Sequence, residues 1–239
     1  GTTFTIDSIV MRKRPRASIP VFGESIGAFH VGTGKLIVSD CVIDGPFLNA
    51  VSNARGSGSI IRRNEITGAL NNGVWFGDNA YVAPSDCEIS GNRIIVPDAT
   101  NDCITLHDGL TGGVNNKIIG NYLYSGTENN IDVLGMYSDT VVADNYLIAG
   151  PKSGTTASGN ALLTCQTAMR VHRNKFYSNR TTCLQHVGTS ALVDIQGNAF
   201  FGYQNAPLNN PKAQMITCSN ANTNFRIIGN SFIGRAGAN

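Results

Sequence analysis

Five residues able to act on a sugar polymer fall close together in the middle of the chain: Trp75, Asp78, His107, Asp108 and Asp132. Hydrolysis of a glycosidic bond needs two carboxyl groups, about 5–5.5 Å apart when configuration is retained and about 6.5–9.5 Å apart when it is inverted. Aspartates stacked on neighbouring strands would stand about 5 Å apart. Like charges that close raise one pKa, which separates an acid from a base. Aligning Val74-Trp75-Phe76, Ile104-Thr105-Leu106 and Ile131-Asp132-Val133 on their apolar residues sets Trp75, Thr105 and Asp132 in one outward row. The same alignment gives Asp78 and Asp108 a shared position just past the strand ends, with His107 projecting beside Asp108. The expected catalytic set is therefore Asp78, Asp108, Asp132 and His107, with Trp75 and Thr105 as substrate contacts. Each has a structural reading too. Gly77-Asp78-Asn79 and His107-Asp108-Gly109 read as turns, Asp132 as a solvent-facing strand residue, and Trp75 as a ring packed under a loop. A lyase would instead need a His or Lys base with a cation or Arg for the substrate carboxylate, and no such set stands out.

Positioning these groups falls to a repeat. Ile or Val, two residues, Asn or Asp, one residue and a large apolar residue recur eight times, centred on Asp40, Asn64, Asn92, Asn121, Asn145, Asn174, Asn198 and Asn230. The spacings are 24, 28, 29, 24, 29, 24 and 32 residues. A period of this size, with one small unit per repeat, predicts a solenoid. The unit reads as two short strands meeting at a sharp corner, β-branched residues before it and aromatics after. Asn or Asp suits the corner because it tolerates a left-handed conformation and bonds locally. Stacked coils would let the amides bond in a ladder, and Phe176, Phe200 and Phe232 stack inside. A third apolar segment in each coil, such as Val74-Trp75-Phe76, closes a three-sided prism. The expected fold is an all-β, right-handed parallel β-helix of at least eight coils.

Composition narrows the setting. Net charge is +2 and charged residues make up 14% of the chain, so no strong field for nucleic acid exists. The one basic cluster, Arg12-Lys13-Arg14-Pro15-Arg16, reads as a solvated loop. No apolar run approaches the ~18 residues of a membrane span, so no membrane insertion is expected. Six cysteines occur without a CxxC pair or zinc spacing. No metal and no cofactor is expected, and the cysteines read as buried free thiols that suit synthesis in a reducing cytoplasm. Residues 1–239 read as a single domain: over 1–30, one strand from Phe4 to Val10 and another over 19–22 with the basic loop between them, then coils over 31–234. The bare ends imply a trimmed chain or a cap from another subunit or domain.

On the eightfold motif and its asparagine ladder, the chain resembles the right-handed parallel β-helix superfamily, the pectate-lyase-like fold. Low charge, loops rich in Gly, Ser, Thr and Asn, and bare ends make it most similar to the body of a bacteriophage tailspike. That resemblance implies a homotrimer on a virion, made in the bacterial cytoplasm, which binds a bacterial surface polysaccharide and often cuts it. A secreted bacterial protein, a non-catalytic receptor-binding or structural β-helix, and a polysaccharide lyase stay open. The Trp-Ile-Asp-His run of pectate lyases, the Asn-Thr-Asp and Gly-His-Gly runs of polygalacturonases, and Gly-Gly-x-Gly-x-Asp calcium repeats are missing. No catalytic residue therefore carries over by motif.

Overall fold

The computed structural model describes residues 2–12, 26–30, 32–97, 102–107, 109–126, 129–135, 137–150, 161–178, 182–188, 192–203, 215–218 and 224–235. Their strands form three parallel sheets of nine, nine and eight strands. The chain visits the sheets in turn, so each coil lays one strand on each side of a prism. The first sheet runs from Thr3–Asp7 to Asn224–Ile228, the second from Val10–Arg12 to Ser231–Arg235, and the third from Ile26–His30 to Ile216–Cys218. No helix occurs among the described residues.

The asparagine ladder closes the corner between the first two sheets. From Asn64 to Asn198, each Nδ2 donates to the Oδ1 of the asparagine one coil on, at 2.9–3.1 Å. That same Oδ1 also accepts the preceding asparagine's backbone N–H. The other Nδ2 hydrogen reaches back to a strand carbonyl, for example Asn121 to Ile89 and Asn145 to Ile118. A corner that would otherwise bury unpaired backbone groups is thereby satisfied.

Two details of the corner differ from the sequence reading. The left-handed residue is the one before each asparagine, not the asparagine itself: Arg63, Gly91, Gly120, Asp144, Arg173, Gly197 and Gly229 all have φ between 52° and 67°. Asp40, read as the first ladder residue, occupies this left-handed position (φ 55°), and Cys41 takes the ladder place by donating its N–H to Asn64 Oδ1. The repeat is thus Val38, Cys41, Ile43 in its first clear copy, since Val38 pairs with Ile61 and Ile43 with Ile66. Asp40 and Asp144 instead receive bidentate bonds from Arg63 and Arg173 one coil on. These hydrogen bonds hold both carboxyls below their usual range. An earlier coil also exists. The run Phe4 to Val10, read as one strand, breaks at Ser8 (φ 55°) into Thr3–Asp7 and Val10–Arg12, both in register with the next coil. The expected strand over 19–22 and most of the basic cluster lie outside the described residues.

Apolar columns fill the prism. Val38, Ile61, Ile89, Ile118, Val142, Val171 and Ile195 stack before the corner, and Ile43 through Phe200 after it, each at most 1% exposed. Full burial of such side chains contributes about 1.5–3 kcal/mol apiece. Phe176, Phe200 and Phe232 do stack face to face, at 4.7 and 5.0 Å between centroids. Cys41, Cys87, Cys103, Cys165 and Cys183 are free and buried, whereas Cys218, on the last described strand of the third sheet, is exposed. Burial pushes the Cys87 and Cys183 thiols up to about 12. Since only a thiolate attacks a disulfide reagent, one thiol per chain should titrate in the native state and all six after denaturation. Three or more fast native thiols would contradict this packing.

Candidate functional site

The third sheet carries the expected row. Thr105 pairs in register with Trp75 on one side and Asp132 on the other. Ser52, Thr164, Gln185 and Thr217 extend the row in both directions. Flanking residues Val74, Phe76, Ile104, Leu106, Ile131 and Val133 are fully buried, so period-2 alternation turns the row itself outward.

Trp75 is fixed at this surface by two contacts. Its indole N–H donates to the Gly77 carbonyl at 2.9 Å, and its ring stacks on His107 at 4.4 Å with 25° between planes. Gly77 makes the arrangement possible. It has φ 96°, and a Cβ there would lie 2.1 Å from the His107 carbonyl oxygen and 2.8 Å from the Tyr137 hydroxyl. The chain can leave the sheet at Gly77 while the next coil closes beneath it, through the His107 N–H bond to the Phe76 carbonyl. His107 therefore backs the indole. Asp132 sits half-buried on the same row, two strands from Trp75.

The other expected members play different parts. Asp78 is exposed, and its Oδ1 accepts the Ala80 N–H at 2.8 Å while its carbonyl accepts that of Tyr81. It shapes the turn that starts the 77–87 wall. Asp108 lies outside the described residues. Thr105 is only 3% exposed, with its hydroxyl between Asn72 Oδ1 (3.0 Å) and Asp102 Oδ2 (2.9 Å). It belongs to a second polar ladder, Asn49–Asn72–Asp102–Asn129, linked by side-chain and backbone bonds along the edge of the third sheet. Thr164 repeats the pattern by donating to Asn129. The signal was present in the sequence: an Asn or Asp stands two residues before Val51, Val74, Ile104 and Ile131.

The tyrosines separate cleanly. Tyr122, Tyr124, Tyr146 and Tyr177 lie on the outer face of the second sheet, where they alternate with buried Leu123, Leu147 and Phe176. Tyr137 is fully buried beneath Gly77 and Gly113. His186 is buried in the column between Cys165 and Cys218, edge-on to Phe225, and its pKa is lowered by burial. A shallow pocket of about 340 Å³ on the first sheet is lined by Glu88, Lys117, Asp139, Val141 and Arg170, among others. It belongs to a different side of the prism from Trp75. No group of three or more His, Cys, Asp or Glu residues suited to a metal ion occurs among the described residues.

A parallel three-sided solenoid with an asparagine corner defines a β-helix. Residues 26–200 match the right-handed β-helix region family, and the chain belongs to it. No curated protein matches the sequence. Among solved structures the chain is similar to the crystal structure of a double mutant of the periplasmic alginate epimerase AlgG, with a TM-score of 0.62 and 11% identity. The match covers 87% of this chain and 48% of that one, so this chain spans about half the length of that structure. At this identity the likeness establishes the right-handed β-helix fold.

Proposed function

We propose that this chain binds an extended bacterial surface polysaccharide along the outer face of the third sheet. The observation that carries the reading is the Trp75 indole, held at the surface by Gly77 and His107 on the row that also presents Asp132. An aromatic ring with a carboxylate two strands along the same row offers a sugar chain both an apolar face and a hydrogen-bond acceptor. Parallel strands about 4.8 Å apart repeat such contacts along a linear polymer. Kinship of fold with an alginate epimerase supports a polysaccharide as the ligand. The setting we favour is a tailspike-like receptor-binding body on a virion. A bacterial envelope protein is the second reading, favoured by the periplasmic location of that structural neighbour. Binding is the activity the geometry supports best, because Asp78, one of the expected acids, is engaged in its turn.

Retention on immobilised bacterial polysaccharides tests the proposal. Trp75→Ala should weaken binding tenfold or more, equivalent to about 1.4 kcal/mol, with the β-sheet circular dichroism intact, and Trp75→Phe should recover part of it. Full retention by Trp75→Ala would place the glycan elsewhere. Reducing ends and unsaturated-product absorbance, followed in the same mixtures, separate hydrolase, lyase and pure binder. Should cleavage occur, Asp132→Asn or Asp108→Asn is expected to stop it without loss of binding.

A further inference from the structure

The outer face of the second sheet is apolar to a degree that a solvent-facing sheet does not need. One outward column reads Ile95, Tyr124, Ile148, Tyr177, Phe201 and Ile233 on six successive strands. Beside it a second column reads Arg93, Tyr122, Tyr146, Lys175, Ala199 and Ser231. Tyr122 and Tyr146 are 40% and 41% exposed, and Ile233 is 49% exposed. Continuous apolar surface of this kind marks an interaction site, and tyrosine with phenylalanine is the composition of protein interfaces.

We infer that this face is a contact between two copies of this chain, related by a two-fold axis and packed sheet against sheet. The ring geometry argues against a sugar as occupant. Tyr177 stacks on Phe201 at 4.7 Å and on Tyr146 at 6.5 Å, within 10° of parallel in each case. Lys175 lies over the Tyr146 ring and Arg93 over that of Tyr122. Tyr177 is thus covered on both ring faces along the solenoid axis, and Tyr146 and Tyr122 each carry a cation over one face. A flat partner that buries edges fits this surface. The first sheet does not match it, because its outward column carries Glu88, Lys117, Arg170, Asp194 and Arg226, whose charges would be desolvated against the rings.

The apolar face matches itself. A two-fold axis parallel to the strands, between Tyr146–Ala149 and Lys175–Ser178, turns the second copy antiparallel. It sets Tyr122 opposite Ala199, Arg93 opposite Ser231 and Tyr146 opposite Lys175. In the second column large side chains then meet small ones and Lys175 meets the hydroxyl edge of Tyr146, while the column from Ile95 to Ile233 meets its own reverse. No two like charges oppose each other across this register. Six strands at about 4.8 Å give a strip about 29 Å long over which the two faces meet. Such a contact is isologous and closes at two copies, where the tailspike resemblance implies three. It leaves the third sheet open, so this contact and the glycan reading stand or fall separately.

Sedimentation or light scattering over about 1–100 µM, which brackets micromolar dissociation constants, is the test. The mass should rise from the 25.3 kDa of one chain to twice that value. Phe201→Asp and Ile148→Asp should each weaken association at least 100-fold with unchanged circular dichroism. Ile119→Asp, on the outer face of the first sheet, should leave association unaltered. A single-chain mass throughout, a three-chain mass, a Phe201→Asp protein that pairs like the parent, or equal loss in Ile119→Asp would each overturn the inference. So would a single-chain protein whose Phe201→Asp variant loses glycan retention, because the face would then be a sugar platform.

Discussion

Replacing Asn121 by leucine should lower the melting temperature by about 10 °C. Asn121 Oδ1 accepts both the backbone N–H and the Nδ2 of Asn92, and its Nδ2 donates to Ile89 O and Asn145 Oδ1. Leucine fills the space and pairs with none of them. Asn145 Oδ1 keeps the backbone N–H of residue 121, but the Asn92 N–H and one Asn92 amide hydrogen lose their partner inside the prism, and the Ile89 carbonyl is left with its strand bond alone. Each buried group left unsatisfied costs about 1–3 kcal/mol, and a total near 3–4 kcal/mol corresponds to that shift for a domain of this size. Lys117→Leu, at an exposed position one strand away, should move the midpoint by no more than about 1–2 °C. Thermal unfolding of the two variants side by side decides the matter, and equal shifts would mean that the amide ladder contributes little.

Gly77→Ala should be costly as well, and its damage should appear at Trp75 first. The added Cβ would sit 2.1 Å from a backbone oxygen of the neighbouring coil, and the residue holds φ 96°. A flexible side chain could move aside; the His107 carbonyl can do so only if the sheet splays. With roughly 1–2 kcal/mol for a positive φ on an L residue added to that distortion, a loss of about 3–4 kcal/mol is expected. Trp75 is the sole tryptophan, so its emission reports the site directly. We expect a red shift in Gly77→Ala as the indole leaves His107, together with weaker glycan retention. Gly120→Ala is the control: φ is 67° but no atom lies within 4 Å of the added Cβ. It should cost only about 1–2 kcal/mol and leave the emission unchanged. Parent-like emission from Gly77→Ala would mean that the glycine is not what seats the indole.

The repeat made most of the architecture legible in advance. Apolar residues three before and two after each asparagine must point inward whichever neighbour they meet, so parallel coils, the amide ladder and the phenylalanine stack all followed from spacing. Trp75, Thr105 and Asp132 shared a row for the same reason, because strand alternation carries an outward position from coil to coil. What spacing does not encode is what lies above a row. Thr105 occupies an outward position yet is sealed beneath the Asn72–Asp102–Asn129 ladder, and that ladder depends on how the corner loops fold back. Tyr137 lies in a loop with no strand period, and only tertiary packing sends it inward under Gly77. The shift from Asp40 to Cys41 had a similar cause. Both Ile37 and Val38 satisfy the apolar pattern, and the choice between them rests on which pairs with Ile61 across the coil. The aromatic columns of the second sheet were scattered tyrosines along the chain. They became one face only when register set Tyr122 beside Tyr146 and Tyr124 beside Ile148, because a solenoid gathers residues about 24–32 positions apart into neighbours about 4.8 Å apart.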